Sequence, residues 1–342
     1  MPEHPSPPRP GTFGLIAAAL MAFLVIQATA LAGNYDHPRW YNATHLSRGA
    51  HHLARLPHAS SMSCARPYAA MYGDGALNLS VFFGFSELTE SDIVVDPYNA
   101  RAFLQQLRKP CSGGLAACGF RWTERPVSAD APFVLTRLLQ GPSGPVRARI
   151  KLYDSAVDDE LGRILTQLPE AQERKSARVQ GHFLHALDQE DAVLYLGHSR
   201  LGTGPGFGAF EAFSSDWWQA MLFNPGRKAM ADTLRERSDP LPMLGLFACD
   251  SRSHYHRSLH RASPETALIL SDDITYVDDD SVRLFATLNA ILARQCEPAV
   301  TTALQSDGDN ATYHLPGWFE PIPPLPAKAP PPFPDLAWGA AD

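Results

Sequence analysis

Apolar positions along the chain change spacing several times, and the changes outline its organisation. Residues 13–32 are apolar except for Gln27 and Thr29, whereas 34–75 show no clear period. The pattern then predicts a strand at 77–87, a helix at 96–109 with Asp96 or Asn99 near its cap, and strands at 118–125 and 133–140. Gly-Pro-Ser-Gly-Pro at 141–145 reads as a turn. From Val146 onward strands and helices alternate. A strand at 146–156 ends near Asp154 and Ser155, and helices are expected at 158–168 and 176–189. The buried strand 191–197 runs directly into His198. A helical stretch at 214–238, broken at Asn224-Pro225-Gly226, leads to the buried strand 241–248, which runs into Cys249. A short helix (254–262), an apolar strand (266–270) and an amphipathic helix (279–295) follow.

Continuous apolar strands separated by helices predict an α/β fold with a mostly parallel sheet covered on both faces. The expected organisation is a leader at 1–32, a small α+β segment at 34–129, the main α/β domain at 130–297 and a tail at 298–342. Pro-rich sequence at 321–334 cannot build a packed core and is expected to be extended.

Composition narrows the function classes. Of the 342 residues, 45% are hydrophobic and 19% charged, as in folded globular proteins. A net charge of −7 without a basic run argues against nucleic acid as a partner. Ala28-Thr29-Ala30 and Ala30-Leu31-Ala32 both fit a signal-peptidase site, yet residues 13–32 are also long enough to span a bilayer. The segment is therefore read as a signal peptide or a membrane anchor. Either way the folded part is expected outside the cytoplasm: periplasmic, secreted or membrane-anchored.

Five cysteines fit an oxidising compartment with one thiol left over. Cys111 and Cys118 are close enough in sequence to pair, and Cys64 with Cys296 is a second pairing in that count. Cys249 is then the remainder. His37, His45, His51, His52 and His58 lack metal-site spacing, and His254, His256 and His260 read as surface residues, so no metal is expected.

The chemistry converges on two strand ends. In an open parallel sheet, ligands bind beyond the carboxyl ends of the strands. His198 and Cys249 both stand there, able to reach one crevice, where an imidazole activates a thiol for attack on a carbonyl. Ser199, Asp250 and Ser251 flank the pair and are candidates for holding substrate or oxyanion. Asp154, Asp272 and Asp273 lie at the same sheet end, as a lining for a basic side chain or as helix caps.

His198 and Cys249 are 51 residues apart, and Phe247-Ala248-Cys249-Asp250-Ser251 sets a small residue two positions beyond Ala-Cys. In these respects residues 146–295 resemble cysteine peptidases of the caspase, gingipain, metacaspase and CHAT type, where the catalytic His follows one buried strand and the Cys the next. The resemblance implies a three-layer caspase-like fold and a protein or peptide substrate. It also implies hydrolysis through a thioester at Cys249, with His198 as acid and base and no cofactor. The family usually carries Gly after the His; this chain has Ser199. Two alternatives stand beside it. One is an inactive interaction protein on the same fold. The other is a serine hydrolase using Ser199 in a Gly197-His198-Ser199-Arg200-Leu201 turn, with Asp272 or Asp273 and His314 as partners.

Overall fold

The computed structural model describes residues 46, 65–88, 93–112, 115–124, 126–141, 144–157, 169–208, 215–272, 277–295 and 311–314. In chain order the elements are α1 (Ala65–Tyr72), β1 (Ala76–Phe83), the short β2 (Glu87–Leu88) and β3 (Ile93–Val94), α2 (Asp96–Arg108), β4 (Arg121–Glu124), β5 (Phe133–Gly141) and β6 (Gly144–Asp154). Then follow α3 (Pro169–Gln189), β7 (Ala192–Leu196), a 3-10 turn (Arg200–Gly202), α4 (Ser215–Phe223), α5 (Pro225–Glu236), β8 (Met243–Phe247), α6 (Ser251–Ala262), β9 (Ala267–Ser271), α7 (Val277–Ala293) and β10 (Ala311–His314).

Eight strands form one sheet in the order β10-β9-β8-β7-β1-β6-β5-β4. The five from β9 to β6 are mutually parallel; β10, β5 and β4 join antiparallel to their neighbours. Burial follows position. Every residue of β7, β8 and β9 is buried, as strands covered on both faces require. In β6, nearer the edge, buried and more exposed residues alternate through most of its length.

Adjacent residues of β1 feed opposite layers, because side chains alternate across a strand. Phe83 packs edge-on against Phe103 of α2 (5.1 Å between ring centres), which in turn meets Phe285 of α7 at 5.6 Å. Phe82 faces the other way, stacking on Tyr153 at 4.5 Å and meeting Phe183 of α3 at 5.3 Å. One layer thus contains α1, α2 and α7. The other contains α3, α5 and α6, seated through Val179, Phe183, Met230, Leu234, Tyr255 and Leu259. The result is a three-layer α/β architecture.

Three features differ from expectation. The boundary at 129/130 does not separate two bodies, since β1 pairs with β6 on one side and β7 on the other. Its apolar run needs neighbours at both edges, and these come from later in the chain. Second, α1 forms where no period was visible. It is held by phenols at and just beyond the end of α7: the Tyr68 hydroxyl donates to the Gln295 carbonyl (2.7 Å) and lies 3.1 Å from that of Ala290, and Tyr72 donates to the Ile291 carbonyl (2.8 Å). Third, residues 311–314 of the tail are drawn into the sheet as β10, beside β9.

The expected pair Cys111–Cys118 is a disulfide. Its loop is anchored by Asn289, whose Oδ1 accepts the N–H groups of Ala116 and Ala117 (2.9 and 3.1 Å), and by Arg137, which donates to the carbonyls of Ala116 and Cys118 (both 2.7 Å). None of the described helices is long and apolar enough to cross a membrane. The leader at 1–32, the helix expected at 158–168, Cys64, Cys296 and the Pro-rich stretch at 321–334 lie outside the described residues.

Asp191, just before β7, accepts the Asn78 N–H at 2.7 Å. Burial pushes its carboxyl up from 3.8 to about 6, against the lowering effect of that hydrogen bond, with Asp74 and Glu190 adding to the rise. A raised folded-state value favours folding below about 3.8 and loses that benefit as pH climbs through about 6. The full rise is worth at most about 3 kcal/mol, which solvent screening reduces to about 1. Asp191→Asn keeps an acceptor for Asn78. Its urea stability relative to wild type is expected to be about 1 kcal/mol better at pH 8 than at pH 4; no difference between the two pH values would refute the assignment.

Candidate active site

β7 and β8 run side by side with Leu196 opposite Phe247, and the ladder continues one residue further through the Gly197 N–H to the Phe247 carbonyl (3.1 Å). His198 and Cys249 each stand two residues beyond this last matched pair. Two neighbouring parallel strands about 5 Å apart therefore deliver an imidazole and a thiol at the same level of the sheet edge. Cys249 is half-buried and outside the disulfide. Asp250 takes a left-handed conformation (φ 49°), and α6 begins at Ser251. The partial positive charge of a helix amino terminus therefore lies two residues beyond Cys249.

The loop after His198 is held by two buried phenols. The Tyr195 hydroxyl contacts the carbonyls of His198 and Gly206 (3.0 Å each) and accepts the Gly206 N–H at 2.8 Å. The Tyr255 hydroxyl donates to the Ser199 carbonyl and accepts from the Gly204 N–H. Burial pushes both phenols up, so both remain protonated donors at neutral pH. Two glycines make room for the first: a Cβ on Gly84 or Gly197 would lie 2.3 or 2.5 Å from the Tyr195 oxygen.

Serine at 199 is accommodated without strain, since its φ of −78° is ordinary for any residue. Left-handed conformations fall instead on Arg200 (φ 47°) and Leu201 (φ 53°). Arg200 folds over Gly206 and its guanidinium donates to the Gly208 carbonyl. His198 is open to solvent on one side and crowded on the other. That crowding, together with the Arg200 charge, holds its imidazole below the usual histidine value and neutral at pH 7.

The other predicted residues divide. Asp250, with a side chain 46% exposed, stays at the site. Ser251 is fully buried: its hydroxyl donates to the Leu246 carbonyl (2.9 Å) and accepts the Ser271 N–H (2.8 Å), tying β8 to β9. Asp272 is held by Arg252 through both oxygens (2.9 and 3.2 Å). Asp154 pairs with the buried Lys175, which also donates to the Ala156 carbonyl at 2.6 Å. Asp273 lies outside the described residues, and His314 is the last residue of β10.

Asp96, expected near the helix cap, sits in the first turn of α2, but its Oδ2 accepts the N–H groups of Ser155 and Ala156 (3.1 and 2.8 Å). The sequence reading missed Tyr195, Tyr255 and Lys175. Only Tyr195 left a trace, as the one polar tip in an otherwise aliphatic strand.

Removing the Tyr195 hydroxyl should loosen the loop without emptying the core. Tyr195→Phe is expected to lower urea stability by about 1–3 kcal/mol and to speed amide exchange across 197–208; a loss under about 0.5 kcal/mol would refute the anchoring role. No family profile, curated protein or solved structure matches the chain.

Proposed function

We propose that the chain is an exported cysteine endopeptidase of the caspase-like type, with Cys249 as nucleophile and His198 as its acid–base partner. The carrying observation is their placement at equal distance beyond the matched ends of neighbouring parallel strands. The parallel three-layer architecture and the Cys111–Cys118 disulfide agree with the fold and the oxidising compartment this reading needs. The substrate is a protein or peptide, and the chemistry needs no cofactor.

The neutral His198 takes the Cys249 proton as sulfur bonds to the scissile carbonyl carbon. The carbonyl oxygen becomes an oxyanion, stabilised by backbone N–H groups and the amino-terminal end of α6. The C–N bond then breaks as His198 returns the proton to the departing amine, leaving a thioester. His198 next draws a proton from water, hydroxide character adds to the thioester, and the acid leaves as Cys249 regains its proton. Because Ser199 adopts ordinary backbone angles, the missing glycine does not strain the residue that follows the imidazole.

The serine-hydrolase alternative gains no support. Ser199 is only 5% exposed, and a 3-10 turn containing a left-handed Leu201 follows it where such a nucleophile needs an α-helix.

Limiting iodoacetamide tests the pair directly. Cys249 is expected to label rapidly, and His198→Ala to slow labelling on the order of 100-fold. The wild-type rate should rise with pH through a midpoint below 6.5, the ordinary histidine value, as His198 loses its proton; this limb should vanish in His198→Ala. An inert Cys249, indifferent to His198, would favour the interaction-protein alternative.

A further inference from the structure

His254 lies on the first turn of α6, and its imidazole sits between the two segments that carry the proposed pair. On one side is the turn after His198: a Cβ on Gly202 would lie 2.9 Å from His254 Nδ1 and 3.1 Å from its Cβ and Cγ. Gly202 has φ 82° and no side chain, so the ring closes directly on its backbone. On the other side His254 Nε2 stands 3.7 Å from Oδ2 of Asp250, the residue bonded to Cys249. The ring is mostly enclosed, with 22% of the side chain exposed.

Neighbouring contacts lock the same junction. Arg227 of α5 donates through its guanidinium to the His254 carbonyl (3.3 Å) and through its backbone N–H to the Thr203 carbonyl (3.0 Å). Tyr255, the next residue, holds the Ser199 carbonyl. Asp250 itself is left-handed at φ 49°, a conformation that surrounding contacts must maintain in a residue other than glycine.

We propose that His254 is a positioning residue for the Cys249–His198 pair: it bridges the nucleophile turn, through Asp250, to the His198 loop, through Gly202. This rests on the peptidase reading above. His254 acts through its neighbours, holding the thiol at the level of the imidazole that deprotonates it. A surface histidine on a solvated helix face would have no such contacts.

The test asks how much His198 contributes when His254 is changed. Second-order labelling rates of Cys249 are measured by mass spectrometry in the full chain for wild type, His198→Ala, His254→Ala and the double variant. Thermal melts of each establish that the chains are folded. A purely structural role for His254 would leave the ratio between His198 and His198→Ala rates unchanged, because the folded fraction cancels within each background.

Expected is a ratio on the order of 100 in wild type that falls to about 2 in the His254→Ala background. His254→Gln, which keeps length and a donor, should restore most of it. Asp250→Gly is compatible with the left-handed turn, removes the side chain that faces His254 and should lower the ratio as His254→Ala does, which covers the case in which His254→Ala fails to fold. A ratio that stays near its wild-type value in either folded variant overturns the positioning role alone. A ratio near 1 in wild type overturns the Cys–His reading and this inference together.

Discussion

The buried hydroxyl of Tyr195 joins the central sheet to the loop that carries His198. It lies in β7, contacts two loop carbonyls and takes one loop N–H, with no solvent to compete. Such a group is stable in a dry layer only when its hydrogen-bonding capacity is met, so the loop must follow one path. That path needs close approach at Gly84 and Gly197, and it shifts left-handed geometry onto Arg200 and Leu201. The conformation of the proposed acid–base residue is thus a consequence of satisfying a phenol in the core.

The Cys249 side follows the same logic with different groups. Ser251 is fully buried and closes the turn after Cys249 by bonding to β8 and β9 at once. Tyr255 reaches from α6 back to the His198 loop. Polar groups within two to six residues of Cys249 therefore join three neighbouring strand ends to one another. At this end of the sheet buried hydroxyls supply the contacts that fix the connecting loops.

The apolar strands and their order were readable because full burial leaves short runs dominated by apolar residues, and because most of the helices between them show a helical period. His198 and Cys249 were readable as residues at the ends of such runs. What the sequence concealed is what depends on distant partners. Tyr68 and Tyr72 stabilise α1 through carbonyls at the end of α7, a contact no local pattern reports. Ser251 looked like a substrate contact because a serine beside a cysteine gives no sign of whether its hydroxyl turns inward. Asp154 and Asp272 read as a lining for a basic side chain or as helix caps, whereas they pair with Lys175 and Arg252. His254 looked superficial, because the bareness of Gly202 that admits its ring is a property of the other segment.

The placement of β1 has a consequence for how the chain assembles. Among the described strands it is the first to be made, yet it occupies the middle of the sheet, and the residue whose carboxylate caps its Asn78 N–H lies 113 positions later. Helix α1 waits longer still, since the carbonyl that receives Tyr72 is 219 residues downstream. Contacts so distant close late and slowly. Until β6 and β7 have emerged, an apolar strand has nothing to pair with on either edge, and it must be shielded or kept unfolded. The central sheet thus cannot close before residue 196 has been made, and α1 cannot dock through Tyr72 before residue 291 has.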